Sequence, residues 1–431
     1  MKLHQHQQEL VEFFLSNPKK GALAWHEMGL GKTLSALAIF DKLKTPNHPY
    51  ALTICPKSAV PVWRAERNKF TPHLGQHHLI MPYSQLAKHR TFLQNYYNQI
   101  GLIILDESHY IKNTGTQRLQ HLIGLIASVP LTTRFLLLSA TPETNGAFEL
   151  FTSWALCDPT DNQTIISRLT DSNLYNKFRN SFSNPARKKI TFKKNGQTRS
   201  MYKTFYKGIR NPAKLSTILK PFAHRRSLID AKELPPKIES IIDLAVKDDH
   251  LLKGADIAKP AHYMALNERL AMAKSKYAID WTKDFLESNH TQKLVVFFTH
   301  LAPLNTLYEK FKEHATQLTG QTTAKKREEQ LDNFTHNPNT RLFLTTYLAG
   351  GMALNLQFVD TALYCGYPWT HAALIQAQAR IHRQGQTNKT KHYFLVSGEN
   401  DRNILNLIKS KKHATETIEG HIAPITLEDF L

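Results

Sequence analysis

The chain has 431 residues, 41% of them hydrophobic and 10% aromatic, the composition of a globular protein with room for two or three domains and not of a disordered one. No run approaches the roughly 18 apolar residues of a membrane span, and "MKLHQHQQELVEFFL" lacks the apolar core and cleavage site of a secretory leader. The net charge of +20 favours polyanions, nucleic acid first among them, and it is uneven: fifteen Lys or Arg and no Asp or Glu lie between Lys177 and Arg226.

In chain order, the first ~150 residues alternate short apolar runs with helical patterns, as α/β proteins do. "GALAWHE", "ALTICP", "GLIILDES" and "RFLLLSATP" read as buried strands whose polar ends (His26-Glu27, Asp106-Glu107, Ser139-Thr141) are where an open parallel sheet gathers ligands. Residues ~150–230 lack strand alternation and interleave the basic run with Phe178, Phe182, Phe192, Tyr202, Phe205 and Tyr206. They read as a helical insertion with a hairpin around "FKKNGQTRSMY", where Asn195-Gly196 is the turn signal. "KELPPKIE" reads as a linker and ~245–290 as helices. A second α/β series follows in "KLVVFFTH", "RLFLTTY", "TALYCGY" and "KHYFLVS". The fold class expected is therefore α/β, with two lobes of parallel sheet flanked by helices and a cleft between them.

Cys55, Cys157 and Cys365 lie far apart with no C-x-x-C pair, so neither a disulfide framework nor a zinc site is signalled, and a reducing cytoplasmic setting is expected. The 22 histidines likewise lack metal-ligand spacing.

The chemistry concentrates in two stretches of the first lobe. "HEMGLGKT" (26–33) follows a strand and opens a helix, the context in which backbone N–H groups and a helix N-terminus face a phosphate. Lys32 would reach the β- and γ-phosphates and Thr33 would hold Mg²⁺. The general loop pattern has a glycine where His26 stands here. Some 70 residues on, Asp106-Glu107 ends an apolar run; one carboxylate can bind Mg²⁺ while its neighbour orients or deprotonates water.

These stretches resemble the superfamily 2 helicase and translocase core, and more narrowly its SNF2 branch. "DESHYIKN" (106–113) is similar to the SNF2 form of motif II, and Met28, Gly29, Leu30, Gly31, Lys32 and Thr33 keep motif I intact. "LHQHQQELVEFFL" resembles the adenine-binding element, with Gln7 in the glutamine position. "TICPKSAVPVW" is similar to motif Ia and "LSATPETN" to motif III. Downstream, "LVVFFTH" resembles motif IV, "LTTYLAGGMALNLQFVDTAL" motif V and "LIQAQARIHRQGQT" motif VI.

The resemblance implies two RecA-like lobes with helical SNF2-type insertions. It implies lobe 1 over 1–155, a basic helical protrusion over 156–230, a linker and second protrusion over 231–290, and lobe 2 over 291–431 ending in a helical tail. It implies ATP and Mg²⁺ as cofactors, with Lys32, Asp106, Glu107 and the arginine fingers Arg380 and Arg383 catalytic, and Gln376 beside the nucleotide. The partner implied is duplex, forked or branched DNA held without sequence preference by a monomer. Its candidate contacts are Lys57, Ser58, Lys112, Asn113, Lys188, Lys189, Lys193, Lys194, Arg225, Arg226, Thr299, Thr345, Thr346 and Trp369.

The expected activity is a DNA-dependent ATPase motor that remodels forks or branched junctions; the alternatives are a strand-separating helicase and an ATP-gated binding module that does not move. Three departures stand out: His26 replaces the usual acid, "SAT" replaces "GT" in motif III, and "YPWTHAA" lacks the acidic-Trp-Asn-Pro pattern before motif VI. "LIQA" leans towards the annealing-helicase members.

Overall fold

A computed structural model describes residues 2–87, 90–140, 146–194, 197–227, 234–244, 260–350, 354–368, 371–383, 385–399 and 401–406. The chain divides into two compact units, the break falling between Ala231 and Lys232.

The first unit is built on strands β1 (Gly21–His26), β2 (Tyr50–Cys55), β3 (His78–Pro82), β4 (Ile100–Asp106) and β5 (Arg134–Ser139), with β8 (Ala223–Arg226) reached after the hairpin strands β6 (Asn184–Lys194) and β7 (Gln197–Lys207). Its six-stranded sheet runs β3-β2-β4-β5-β1-β8, every pair parallel. A parallel sheet is covered on both faces, which is why its strands are continuous apolar runs without alternation. Leu23, Trp25, Leu52, Ile54, Ile103 and Leu137 pack on one face. Ala22, Ala24, Ala51, Ile104 and Leu136 pack on the other, under α1 (Gln5–Ser16), α2 (Lys32–Leu43) and α3 (Val60–Phe70), which bury Phe14, Phe40 and Trp63 there.

The second unit repeats the plan with β9 (Lys237–Leu244), β10 (Leu294–Phe298), β11 (Ala315–Leu318), β12 (Leu342–Thr346), β13 (Thr361–Tyr364) and β14 (Thr390–Ser397) in the order β11-β12-β10-β13-β14-β9, again all parallel. Val295, Phe297 and Tyr364 fill one side of this sheet and Leu294, Val296 and Phe298 the other. Lys274, wholly buried, closes the unit by an ion pair at 2.6 Å with equally buried Asp401, and also donates to the Leu395 carbonyl.

Two expectations are corrected. The basic segment is less helical than expected: after helices Asn162–Thr170 and Ser172–Phe182 the hairpin expected around "FKKNGQTRSMY" extends well beyond it, paired from Asn184 opposite Lys207 to Lys194 opposite Gln197. The sequence "KELPPKIE" does not stay a linker throughout, because Lys237 begins β9, which pairs along its whole length with β14. Both β8 and β9 belong to sheets, although each lies in a stretch read as insertion or linker. Residues 407–431 at the end of the expected helical tail, the turn Asn195-Gly196, motif III from residue 141 to 145 and Trp369 lie outside the described residues. Among the described residues, no helix is long and apolar enough to cross a membrane.

Candidate active site and basic hairpin

The carboxyl ends of β1, β2, β4, β5 and β8 bring the first-unit motifs to one edge of the sheet, as parallel topology requires. The loop after β1 turns through Gly29 (φ 89°) and Gly31 (φ 67°), left-handed conformations that suit glycine. Met28 and Leu30 between them are buried and pin the loop to the core. Lys32 opens α2 directly after Gly31, and its Nζ donates to the carbonyls of His26 (2.8 Å) and Glu27 (3.0 Å). Gln7 is buried on α1: its Oε1 accepts from His4 N–H at 3.0 Å, completing a helix cap, and its Nε2 reaches the Leu30 carbonyl at 3.4 Å. His6, which the sequence reading passed over, meets the same carbonyl at 3.0 Å through Nε2.

Asp106 ends β4, and Glu107 follows with a left-handed backbone (φ 50°), a conformation uncommon outside glycine and concentrated at functional sites. Trp63 Nε1 donates to Asp106 Oδ2 at 2.8 Å and the Glu107 N–H to Oδ1 at 3.0 Å. Burial, then the neighbouring Glu107 charge, raises the Asp106 carboxyl to about 6 against these donors and Lys32. Two crowded carboxylates at the end of β4 and the threonine hydroxyl in the first turn of α2 are oxygen donors of the kind that suit Mg²⁺; Thr33 and Asp106 would hold it.

His26 now has a setting. It is fully buried at the end of β1, and its Nε2 lies 2.7 Å from Nδ1 of His224 on β8, also fully buried. Burial first, then His224 and Lys32, holds the His26 imidazole well below the ordinary histidine range, and burial and Arg226 take His224 to about 3. Both rings are neutral, so one donates and the other accepts; among the described residues His26 Nδ1 and His224 Nε2 have no hydrogen-bond partner. Beside them Arg226 Nε donates to Glu9 Oε2 at 3.0 Å, an ion pair closed off from solvent. The usual acid is thus replaced by a neutral pair that ties the phosphate-loop strand to the last strand of the sheet.

Several residues expected at a DNA surface have inner partners instead. Arg226 serves Glu9, and Lys112 pairs at 2.8 Å with Glu149, whose carboxylate is only 2% exposed and needs a counter-charge. Thr345 is wholly buried, donating to the Leu318 carbonyl at 2.9 Å. Thr346 accepts from the Ala349 N–H at 3.4 Å at the start of a short helix. Thr299 sits 2.9 Å from His300 Nδ1. Lys57 is exposed and Ser58 half-buried in the turn after β2, Asn113 is exposed after motif II, and Arg225 is half-buried on β8. Lys188 and Lys189 are exposed on β6, where Lys193 and Lys194 also lie.

In the second unit Gln376 is half-buried on helix His371–Gln378. Arg380 and Arg383 lie in the turn that follows that helix, not on it, and both aim Nη1 at the Leu354 carbonyl, at 3.5 and 3.3 Å. A shared acceptor in motif V holds the two guanidinium groups as a pair.

Two parallel α/β units, a phosphate loop with a paired carboxylate strand end, and a paired-arginine turn define a nucleotide-using two-lobed P-loop protein of superfamily 2. The model of the SNF2-related domain matches residues 6–80 and 73–289, and that of the helicase conserved C-terminal domain matches 277–385. The chain belongs to the SNF2-related family.

It is 24% identical over 443 residues, 94% of its length, to the SWI/SNF-related matrix-associated actin-dependent regulator of chromatin subfamily A-like protein 1 of Xenopus laevis. It is 25% identical over 448 residues, again 94% of its length, to the human DNA annealing helicase and endonuclease ZRANB3. The chain spans 43% and 39% of these relatives' own lengths. The SWI2/SNF2 ATPase core of Sulfolobus solfataricus, solved with dsDNA, matches at 18% identity and a TM-score of 0.39 over 98% of this chain and 95% of that one.

Proposed function

We propose that this protein is a DNA-stimulated ATPase motor that translocates on duplex DNA and remodels forks or branched junctions. The observation that carries the reading is the set Lys32, Asp106 and Glu107, gathered at one sheet edge, together with the paired Arg380 and Arg383 on the motif VI turn.

In this reading Lys32 exchanges the carbonyls of His26 and Glu27 for the β- and γ-phosphates of ATP. Gln7, anchored on the loop itself, faces the adenine. Glu107, held by its left-handed backbone, orients the attacking water and takes its proton. Magnesium, when bound, supplies charge neutralisation on the phosphates. Arg380 and Arg383 stabilise the charge that develops on the transferred group. DNA contacts are left to Lys57, Ser58, Asn113, Arg225 and the exposed lysines of the hairpin, a phosphate-directed set that reads no sequence. The cytoplasm and a monomeric state belong to the same proposal.

The experiment compares a blunt duplex, a tailed duplex and a mobile four-way junction with ATP present. Branch migration of the junction with the tailed duplex left intact is expected; efficient separation of the tailed duplex would move the assignment to a strand-separating helicase. That second reading has one observation in its favour, the free-standing hairpin of β6 and β7.

A further inference from the structure

The hairpin is an unusual object for a protein surface. Its strands are eleven residues each, roughly 35 Å of ribbon, and carry eight Lys or Arg and no acid. Residues 184–189, 191 and 200–205 are all exposed, so both faces meet solvent. A two-stranded ribbon without a covering layer is marginal in water. The register worsens this, for it sets Lys188 directly opposite Lys203, a like-charge pair that disfavours the ribbon. Bound polyanion relieves that repulsion, and phosphodiester groups account for the lysines.

Phosphates do not account for the rings. Tyr202 is 59% exposed, Met201 52% and Phe205 37%, on a surface where large apolar side chains cost solubility. Each ring is accompanied by a cation: the Arg187 guanidinium lies 4.7 Å from the Tyr202 centroid and Lys203 Nζ 5.7 Å from that of Phe205. Lys189 is opposite Tyr202 and Ala186 opposite Phe205, so successive residues put a cation–aromatic pair on each face of the ribbon. Cations that track a backbone beside rings that offer a stacking surface are the two parts of a single-strand binding site. Bases within a continuous duplex are stacked on one another and cannot take these rings; unpaired bases can.

We propose that the β6–β7 hairpin binds unpaired nucleotides, Arg187, Lys188, Lys189 and Lys203 holding phosphodiesters while Tyr202 and Phe205 stack on bases. The hairpin then makes the protein prefer forked or branched DNA to continuous duplex. This rests on the reading of the chain as a DNA motor, but it assigns a different task to a different element.

The test uses the full chain and three fluorescent probes of mixed sequence: a single strand, a fork and a blunt duplex. The double substitution Tyr202→Ala, Phe205→Ala should weaken binding to the single strand and the fork by about tenfold or more, with blunt-duplex affinity within about twofold and the salt dependence unchanged. Tyr202→Trp, Phe205→Trp should restore the fork preference. Lys188→Ala, Lys203→Ala should instead lower the slope of log affinity against log salt on the single strand by about 1.4. Equal losses on fork and duplex for the ring variant would overturn the stacking assignment and leave a plain phosphate grip. Unchanged binding of every probe by all variants would overturn the nucleic-acid assignment of the hairpin and leave an acidic protein as its occupant. Duplex-stimulated ATP turnover by the unsubstituted chain is read separately, so a failure of the motor reading is distinguishable from a failure of this one.

Discussion

Replacing His26 by alanine is the sharpest perturbation of the phosphate-loop base. The substitution removes a fully buried ring and strands its partner: His224 Nδ1, 2.7 Å away, loses the group it pairs with. A buried polar atom left without its partner costs about 1–3 kcal/mol, and the space left by an aromatic-sized side chain adds to that. Together they predict a loss of about 3–5 kcal/mol, a large share of the stability of a typical domain. Urea unfolding followed by tryptophan fluorescence reads it, since Trp25, Trp63 and Trp154 all report on the first unit. In a double-mutant cycle His26→Ala and His224→Ala should couple by about 1 kcal/mol or more. The KM for ATP should stay within a few-fold in conditions where the variant is folded, because Lys32 bonds the backbone carbonyl of His26, which the substitution keeps. A loss under about 1 kcal/mol, or strict additivity with His224→Ala, would refute the account of the pair as a structural tie between β1 and β8.

Other expectations follow from the same geometry. Glu107→Gln should keep ATP affinity while turnover falls about 10²–10⁴-fold; turnover at the unsubstituted rate would remove Glu107 from its role. Arg380→Ala or Arg383→Ala should lower kcat by about 10³-fold or more, and a variant that changes only KM would show that the turn binds and does not catalyse. Lys274→Met leaves Asp401 buried and uncompensated and should cost about 3–5 kcal/mol in the second unit, with Lys274→Met, Asp401→Leu recovering part of it; equal unfolding midpoints for wild type and the single variant would contradict this.

Acid sensitivity is also expected, because burial holds His78, His224 and His392 near 3 and His382 near 4. Below the ordinary value of about 6.5 the unfolded chain takes up protons that these rings refuse, so stability falls as pH falls, by about 2 kcal/mol per histidine at pH 5. The histidine contribution should be flat above pH 7, where Lys20, lowered to about 8 by burial, adds stability only as the pH rises past that value. Asp106, raised to about 6, opposes part of the acid loss. An unfolding midpoint constant from pH 7 to 5 would count against this expectation.

The sequence makes the sheet interiors and the phosphate chemistry legible because both are local. Apolar runs such as "GLIILD" are continuous since each strand is covered on both faces, and their ends mark the ligand edge without knowledge of the partners. What stays hidden depends on partners far away in the chain. "AHRR" reads as a polar piece of an insertion, yet it is the strand β8, because His26 and Glu9, some 200 residues earlier, accept its histidine and arginine into the core. Lys112 and Thr345 carry the residue types of a phosphate surface, and only Glu149 and the Leu318 carbonyl reveal their structural duty. The hairpin escapes a periodicity reading for another reason: a ribbon exposed on both faces has no buried side, so its strands carry no alternation, and Asn195-Gly196 is its only written sign.

The central claim is that DNA drives ATP hydrolysis at the site built on Lys32, Asp106 and Glu107. Steady-state ATP turnover by the purified chain, with magnesium, in the absence and presence of saturating duplex DNA, tests it most directly. The account predicts slow turnover without DNA and stimulation of about tenfold or more with it, equivalent to at least about 1.4 kcal/mol off the barrier. Turnover that is absent, or the same with and without DNA, would contradict it.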